Sequence, residues 1–241
     1  MNPHPFSGSL YLFPVTLGDS DPLQVLPAHN IALMNEISHF IAEDARTARR
    51  TLAACGVKNI REKEIIEFNK QTDKNEVVQE FLGLVKSGKS VGLMSEAGCP
   101  AVADPGSEIV NAAHLNNISV IPLTGPSSLL LALMASGMNG QHFTFHGYLP
   151  AKTDERAQKL KILEKDAYAQ HVTHLFIETP YRNMQLLDSI IQHCRPATLL
   201  CIACDITLET EFIATKTVGE WKKKLPVLGK RPAVFLISEG Y

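Results

Sequence analysis

Residues 91–136, VGLMSEAGCPAVADPGSEIVNAAHLNNISVIPLTGPSSLLLALMAS, decide the fold, because a strand pattern, a loop and a helical pattern follow one another twice. The first apolar run, residues 91–94, ends in a loop of small residues, and Asp104-Pro105-Gly106 precedes the first helical pattern. The second run, residues 118–123, stops at Thr124-Gly125-Pro126-Ser127-Ser128. This order predicts a parallel α/β sheet, in which ligands bind at the carboxyl ends of the strands. The two Gly-containing loops are therefore predicted to form one binding wall.

Further strand patterns flank this stretch, at residues 10–15, 39–42 and 64–68 before it and at residues 141–150, 173–178, 198–204, 209–214 and 233–238 after it. Helical patterns alternate with them, which predicts an α/β fold throughout. The composition changes at a strongly charged helical segment, residues 151–168, which is expected to face solvent. We therefore predict two α/β domains, residues 1–148 and 149–241.

Composition excludes several protein classes. The 241 residues are 45% hydrophobic and 20% charged, with a formal net charge of −2, which is typical of a globular protein and indicates no overall basic surface for nucleic acid. No apolar segment is long enough to cross a bilayer, so no membrane partner is expected. Five cysteines, an odd number, favour reduced thiols and a cytoplasmic location. Cys201-x-x-Cys204 has the spacing of half a zinc site, but no second pair at ligand spacing occurs, and no metal is expected.

Charged side chains cluster at predicted strand ends. Glu43-Asp44 follows residues 39–42, with Arg46 and Arg49 on the next helix, and Glu178 ends another strand shortly before Arg182. Acids followed by arginines usually form pairs on a solvated helix face. At strand ends they are also candidates for catalysis and for binding an anionic substrate. The candidate general bases are Asp44, Asp104 and Glu178, and the residues alone do not decide among them.

Four motifs resemble those of the tetrapyrrole-methylase superfamily, and most closely its small-subunit ribosomal RNA methyltransferase I branch. They are Glu96-Ala97-Gly98-Cys99-Pro100, Asp104-Pro105-Gly106, Leu123-Thr124-Gly125-Pro126-Ser127 and Phe145-His146-Gly147-Tyr148-Leu149-Pro150. Glu43-Asp44-x-Arg46 and Glu178-Thr179-Pro180-Tyr181-Arg182 are similar to two further motifs of that branch. The resemblance covers roughly residues 10–237, in the same order.

The resemblance implies an S-adenosylmethionine-dependent methyltransferase that modifies a cytidine ribose 2′-hydroxyl, with its cofactor in a cleft between two domains and usually as a homodimer. It implies ribosomal RNA or the small ribosomal subunit as partner, and Arg46, Arg49 and Arg182 are the candidates for substrate phosphates. By position, it implies cofactor contacts at Ser95, Glu96, Ala97, Gly98, Asp104, Thr124, Ser127, Ser128, Leu149, Glu178, Thr179, Ala203 and Ala233.

The chain departs from that branch at its first loop and after Ala203, where an arginine and a lysine of the branch are replaced by Cys204 and Leu208. Fewer basic groups at strand ends weaken contacts with RNA phosphates. Two alternatives therefore remain open. One is methylation of a tetrapyrrole-like small molecule or another acceptor, and the other is a protein that binds S-adenosylmethionine without catalysis.

Overall fold

The computed structural model describes residues 8–240. The described residues divide into two compact units, an N-terminal unit that ends at Ser127 and a C-terminal unit that begins at Ser128. The boundary after residue 148 that composition suggests stays a prediction. Within residues 8–240, no helix combines the length and the apolar content that a membrane span requires.

The N-terminal unit contains a parallel sheet with the strand order β3-β2-β4-β1-β5. Its strands are β1 (Leu10–Phe13), β2 (His39–Ala42), β3 (Glu64–Glu67), β4 (Val91–Met94) and β5 (Val120–Pro122). Its helices are α1 (Pro22–Val25), α2 (Ala28–Glu36), α3 (Ala45–Ala54), α4 (Lys74–Lys86) and α5 (Ser107–Leu115), with a 3-10 turn at Ile60–Glu62. The parallel sheet predicted for this region is confirmed.

Both faces of this sheet are buried, which explains why β2 and β4 are apolar without alternation. Phe13 and Phe40 pack on one face with α2 and α3, whereas Ile41 and Leu93 pack on the other with α4 and α5. Gly92 lies between the two rings, because a Cβ there would approach Phe40 to 2.6 Å and Phe13 to 2.9 Å. Packing from both sides therefore holds the strand ends, and the loops that follow them, in place.

The C-terminal unit contains a mixed sheet with the order β6-β7-β10-β8-β9. Its elements are α6 (Ser128–Ser136), β6 (Phe143–Tyr148), α7 (Thr153–Gln170), β7 (Thr173–Glu178), a 3-10 turn at Pro180–Arg182, α8 (Asn183–His193), β8 (Leu199–Cys204), β9 (Phe212–Thr217), α9 (Val218–Lys223) and β10 (Ala233–Ser238). Strand β6 is parallel to β7, and the other three pairs are antiparallel.

The mainly aliphatic core of this sheet includes the buried aromatic side chains of Phe176, Trp221 and Phe235. Phe176 and Phe235 stack with their ring centroids 6.2 Å apart and their planes 5° from parallel. Trp221 is buried on α9, and its indole Nε1–H donates to the Leu200 carbonyl oxygen at 2.9 Å. A capping box formed by Thr217 and Glu220 starts α9, so the short helix begins at a defined residue and carries the tryptophan onto the sheet.

Several sequence-based expectations differ from the structure. The strand expected at residues 209–214 lies at Phe212–Thr217, because residues 205–211 form a turn in which Leu208 N–H bonds to Asp205 O. Helix α2 was not predicted, since its apolar residues show weak helical periodicity. The charged helix α7 is not wholly solvated, because Arg156 and Glu164 are buried, where Arg156 Nε donates to Ser189 and Glu164 accepts from Thr198.

Candidate functional site

The loops after β1, β2, β4 and β5 leave the same edge of the N-terminal sheet, because all four strands run in the same direction. Hydrogen bonds hold three of these loops, those after β1, β4 and β5. Val15 N–H donates to the Gly98 carbonyl oxygen at 2.9 Å, and the buried Asn30 of α2 donates through Nδ2 to the Thr124 carbonyl oxygen at 2.8 Å. The loops therefore form one connected surface at the carboxyl ends of the strands.

The loop after β4 has a strained backbone. Gly98 and Gly106 have φ of +71° and +132°, and two non-glycine residues, Ala101 and Ala103, also have positive φ, at +63° and +62°. A Cβ on Gly106 would lie 2.8 Å from Leu93 Cδ2. Each alanine in this conformation costs on the order of 1–2 kcal/mol, and strain of this kind clusters at functional sites.

The cofactor-binding residues predicted in the N-terminal unit all lie on these loops. Glu96, Ala97 and Thr124 are exposed, and the hydroxyl of the buried Ser95 donates to the Gly98 carbonyl oxygen at 3.3 Å. Ser127 ends this unit, whereas Ser128 is the first residue of α6. Their positions at one sheet edge are structural facts, and their contacts with a cofactor stay a prediction.

Asp104 has the most unusual electrostatic environment of the three candidate bases. Burial, followed by the charges of the neighbouring carboxylates Glu43 and Glu96, raises its pKa to about 6, against an opposing hydrogen bond from Ser95. Burial, followed by the charge of Glu96, also raises the pKa of Glu43. Asp104 therefore accepts a proton more readily than an ordinary aspartate at neutral pH.

The Asp44 side chain caps α3. Its Oδ1 accepts a hydrogen bond from Thr47 N–H at 2.6 Å, and the bonds from Thr47 lower the pKa of Asp44. This carboxylate thus has a structural partner and a reduced proton affinity. Arg46 and Arg49 lie on the first turns of the same helix, and both are exposed at the edge where β2 ends.

The residues predicted in the C-terminal unit gather at one edge of its sheet. Ala233 begins β10 and pairs with Glu178 at the end of β7, and Val234 pairs with Ala203 of β8. Leu149 directly follows β6 and is buried. These residues, together with Thr179, therefore lie side by side although they are up to 84 positions apart in the chain.

Glu178 is buried and paired with Arg182. Its Oε1 accepts from Arg182 Nη2 at 2.7 Å, from Arg182 Nε at 3.0 Å and from Thr179 N–H at 2.6 Å. Its second oxygen, Oε2, is buried and has no hydrogen-bond partner among the described residues. A buried carboxylate oxygen without a partner is costly, and it marks a position that a ligand donor can occupy.

Sequence reasoning missed a basic group at this edge. Arg231 precedes β10, and its Nε donates to Asp205 Oδ2 at 2.6 Å after the end of β8. Asp205 and Thr207 both have positive φ, at +48° and +72°, which is rare for the β-branched threonine. The run Lys230-Arg231-Pro232 was the available signal, but its proximity to residues 205–207 comes only from strand pairing.

The comparisons with known proteins agree with this arrangement. Residues 26–222 match the family model described as Tetrapyrrole (Corrin/Porphyrin) Methylases. A ribosomal RNA small subunit methyltransferase I of Buchnera aphidicola is 30% identical over 98% of this chain and 79% of that protein.

Two solved structures share the fold. The methyltransferase CobJ matches with a TM-score of 0.63 and 15% identity, over 97% of this chain and 95% of that one. A Thermus thermophilus uroporphyrin-III C-methyltransferase complexed with S-adenosyl homocysteine matches with a TM-score of 0.56 and 18% identity, over 96% and 98%. The resemblance drawn from the motifs is thus confirmed, and this chain belongs to the tetrapyrrole methylase family.

Proposed function

We propose that this protein transfers a methyl group from S-adenosylmethionine to a ribose 2′-hydroxyl in small-subunit ribosomal RNA. Family membership supports methyl transfer, and similarity over nearly the whole chain to a ribosomal RNA small subunit methyltransferase I supports the acceptor. The observation that best supports methyl transfer to a hydroxyl group is the pKa of Asp104, which is raised to about 6. Asp104 lies in the same segment after β4 as Gly98.

The residues present suit the cofactor. In the loop at residues 95–98, Glu96 and Ala97 are exposed, and the small residues Ala97 and Gly98 allow close approach of a ligand. In the C-terminal unit, Glu178 Oε2 is a buried acceptor without a partner, which suits an amino group. Bound S-adenosylmethionine supplies an electrophilic methyl group on a sulfonium. A methyltransferase site would align the acceptor oxygen with that methyl group and exclude water from it.

Asp104 is the best of the three candidate bases. Asp44 already accepts the cap bond from Thr47, and Glu178 accepts three bonds on one oxygen. In the proposed reaction the ribose oxygen forms the new bond to the methyl carbon as the carbon–sulfur bond breaks. The hydroxyl proton passes to a carboxylate oxygen of Asp104, whose raised pKa brings its proton affinity closer to that of the hydroxyl.

Arg46 and Arg49 are the better candidates for substrate phosphates. Both are exposed on α3, whereas the guanidinium of Arg182 is already bonded to Glu178. An exposed guanidinium binds a phosphate through two parallel hydrogen bonds.

The test is methylation of purified small ribosomal subunits from a strain that lacks this gene, with radiolabelled cofactor and mass-spectrometric mapping of the product. The expected result is one methylated ribose. Methylation of a tetrapyrrole-like small molecule with unmodified RNA would support the first alternative. Cofactor binding without any transfer, with intact particles and with extracted RNA, would support the non-catalytic alternative.

A homodimer and a cytoplasmic location are parts of the same proposal. Helix α6 is apolar, and its Leu130 and Met134 are 52% and 78% exposed, which suits a self-association surface. The cysteines are all free thiols, which suits a reducing compartment such as the one that contains ribosomes. Light scattering after size exclusion measures the oligomeric state, and Leu130→Asp is expected to yield monomers.

A further inference from the structure

A cavity of about 320 Å³ lies between helix α3 and the loop after β1 in the N-terminal unit. One wall consists of Thr47, Arg50, Thr51 and Ala54, which are spaced i, i+3, i+4 and i+7 and so share one face of α3. The opposite face of α3 carries the buried Ala48 and Leu52. The helix is therefore held by its core face while its other face lines the cavity.

The other wall provides polar groups. Asp19 and Ser20 come from the loop after β1, and Glu96 comes from the loop after β4. The hydroxyl oxygen of Ser20 is buried and has no hydrogen-bond partner among the described residues. A hydroxyl group of a ligand could satisfy it after a side-chain rotation. The cavity thus combines one cation, two carboxylates and several hydroxyl groups.

This chemistry suits a nucleotide. A guanidinium binds phosphate, whereas carboxylate and hydroxyl oxygens accept from ribose hydroxyls and base amino groups. The volume lies at the lower end of the range for small-molecule sites, about 300–1,000 Å³. One nucleotide unit can enter it, but most of a macrocycle of four pyrrole rings would remain outside.

The position of the cavity agrees with an acceptor site. Glu96 lines it and also belongs to the loop at residues 95–98, where cofactor contacts are predicted. We infer that this cavity receives the nucleotide whose ribose is methylated, and that Arg50 binds its phosphate. This inference rests on the proposed function, because it assigns the acceptor subsite of the same reaction. Enzymes that act on a nucleotide within folded RNA commonly turn it out into such a pocket.

A pair of tryptophan substitutions tests the cavity. Ala54→Trp fills it from an exposed position on α3, and Ala53→Trp places the same side chain on the neighbouring exposed position outside it. We expect Ala54→Trp to raise KM for small ribosomal subunits by about tenfold or more, since a nucleotide excluded from the cavity loses its contact with Arg50, and one lost charge-assisted contact has that effect. Ala53→Trp should remain within about twofold of the wild type, a change typical of surface sites.

Arg50→Ala and Arg50→Lys test the phosphate contact, with Arg61→Ala, on a 3-10 turn that does not line the cavity, as control. We expect Arg50→Ala to raise KM, Arg50→Lys to restore it in part, and Arg61→Ala to leave it unchanged. Calorimetry with S-adenosylhomocysteine should give wild-type affinity for all five variants, which verifies their folding. If Ala54→Trp loses this affinity, the comparison of Arg50→Ala with Arg50→Lys decides whether the cavity binds the acceptor nucleotide.

Binding of cytidine 5′-monophosphate, followed by NMR, separates this inference from the proposed function. If the wild type methylates particles but Ala54→Trp and Arg50→Ala match it in KM and in nucleotide binding, the cavity is not the acceptor subsite and the proposed function stands. If the wild type methylates nothing, the proposed function fails. In that case, loss of nucleotide binding in Ala54→Trp and Arg50→Ala, but not in the control variants, would still identify a nucleotide pocket. Nucleotide binding that neither substitution changes would overturn the inference.

Discussion

Glu178 receives both hydrogen bonds from Arg182 on the same oxygen, Oε1, at 3.0 and 2.7 Å, while Oε2 is buried without a partner among the described residues. The two bonds from Arg182 thus fix the Glu178 carboxylate through Oε1 and leave Oε2 available as an acceptor. This asymmetry is explained if a ligand donor completes the site. Glu178 is therefore a cofactor-binding candidate, and Oε2 is the atom expected to accept the hydrogen bond.

We expect Glu178→Gln to weaken binding of S-adenosylhomocysteine by about 10- to 100-fold, because a hydrogen bond to a charged group contributes about 1.5–3 kcal/mol. Isothermal titration calorimetry measures this change. Glu155→Gln, which removes an exposed carboxylate paired with Lys152 on α7, is the matched control and should bind as the wild type does. Unchanged affinity in Glu178→Gln would show that the residue only positions Arg182.

We expect Asp104→Asn to lower kcat by about 10²–10⁴-fold, the usual contribution of a general base. The affinity for S-adenosylhomocysteine should change little, and the wild-type kcat/KM should fall as the pH decreases through about 6. Asp44→Asn is the control, because an amide can still cap α3. Equal kcat values for Asp104→Asn and the wild type would exclude Asp104 as the base.

The carboxyl group of Asp104 should also make the stability of the fold depend on pH, in a direction that its raised pKa predicts. The folded-state pKa of Asp104 is raised above its ordinary value of 3.8 to about 6, so its stabilising contribution is complete below pH 3.8 and is lost as the pH rises through 6. Asp104→Asn should therefore unfold at higher urea concentration than the wild type at pH 8, and the difference should shrink at pH 5. A difference that is independent of pH would contradict this environment.

Gly106 should tolerate substitution less than Gly56. Gly106→Ala combines φ of +132° with a Cβ 2.8 Å from Leu93 Cδ2, whereas a Cβ on Gly56, at φ +70°, meets nothing within 4 Å. We expect Gly106→Ala to lower the free energy of unfolding by about 2–4 kcal/mol and Gly56→Ala by about 1 kcal/mol. Urea titrations measure both, and equal losses would contradict the close packing of the β4 loop.

His146 and His174 form a pair that should be sensitive to acid. His146 Nε2 lies 2.9 Å from His174 Nδ1. Burial lowers the pKa of His146 to about 4 and also lowers that of His174, and His142, Lys159 and Asp166 surround them. The pair stabilises the fold fully above pH 6.5, and this contribution is lost as the pH falls towards 4.

The Tm of the wild type should therefore decrease more steeply between pH 7.5 and 4.5 than that of His146→Gln, because the variant has one fewer group to protonate. Differential scanning calorimetry across this range gives both slopes. His171→Gln, which alters an exposed histidine paired with Glu239, is the control and should keep the wild-type slope. Parallel slopes for His146→Gln and the wild type would show that His146 does not titrate in this range.

The sequence alone determined the elements whose signals are local. Strands β2, β4, β7 and β10 were predicted to the residue, because apolar runs end there at turn-forming or charged residues. The motifs around Gly98 and Gly106 also identified the family, since glycines with positive φ leave a signature in the sequence. Strand β1 was expected to reach residue 15 but ends at Phe13, because Pro14 has no N–H to donate to the neighbouring strand.

Only the tertiary structure decided how distant residues meet. The antiparallel pairing of β10 brings Ala233 beside Glu178, and no local pattern specifies the direction of a buried strand. The raised pKa of Asp104 depends on Glu43, 61 positions earlier in the chain, and on burial. The cavity between α3 and the first loop likewise exists because Ala48 and Leu52 anchor the opposite face of α3 in the core. Such proximity arises from packing, which periodicity and turn chemistry along one chain do not encode position by position.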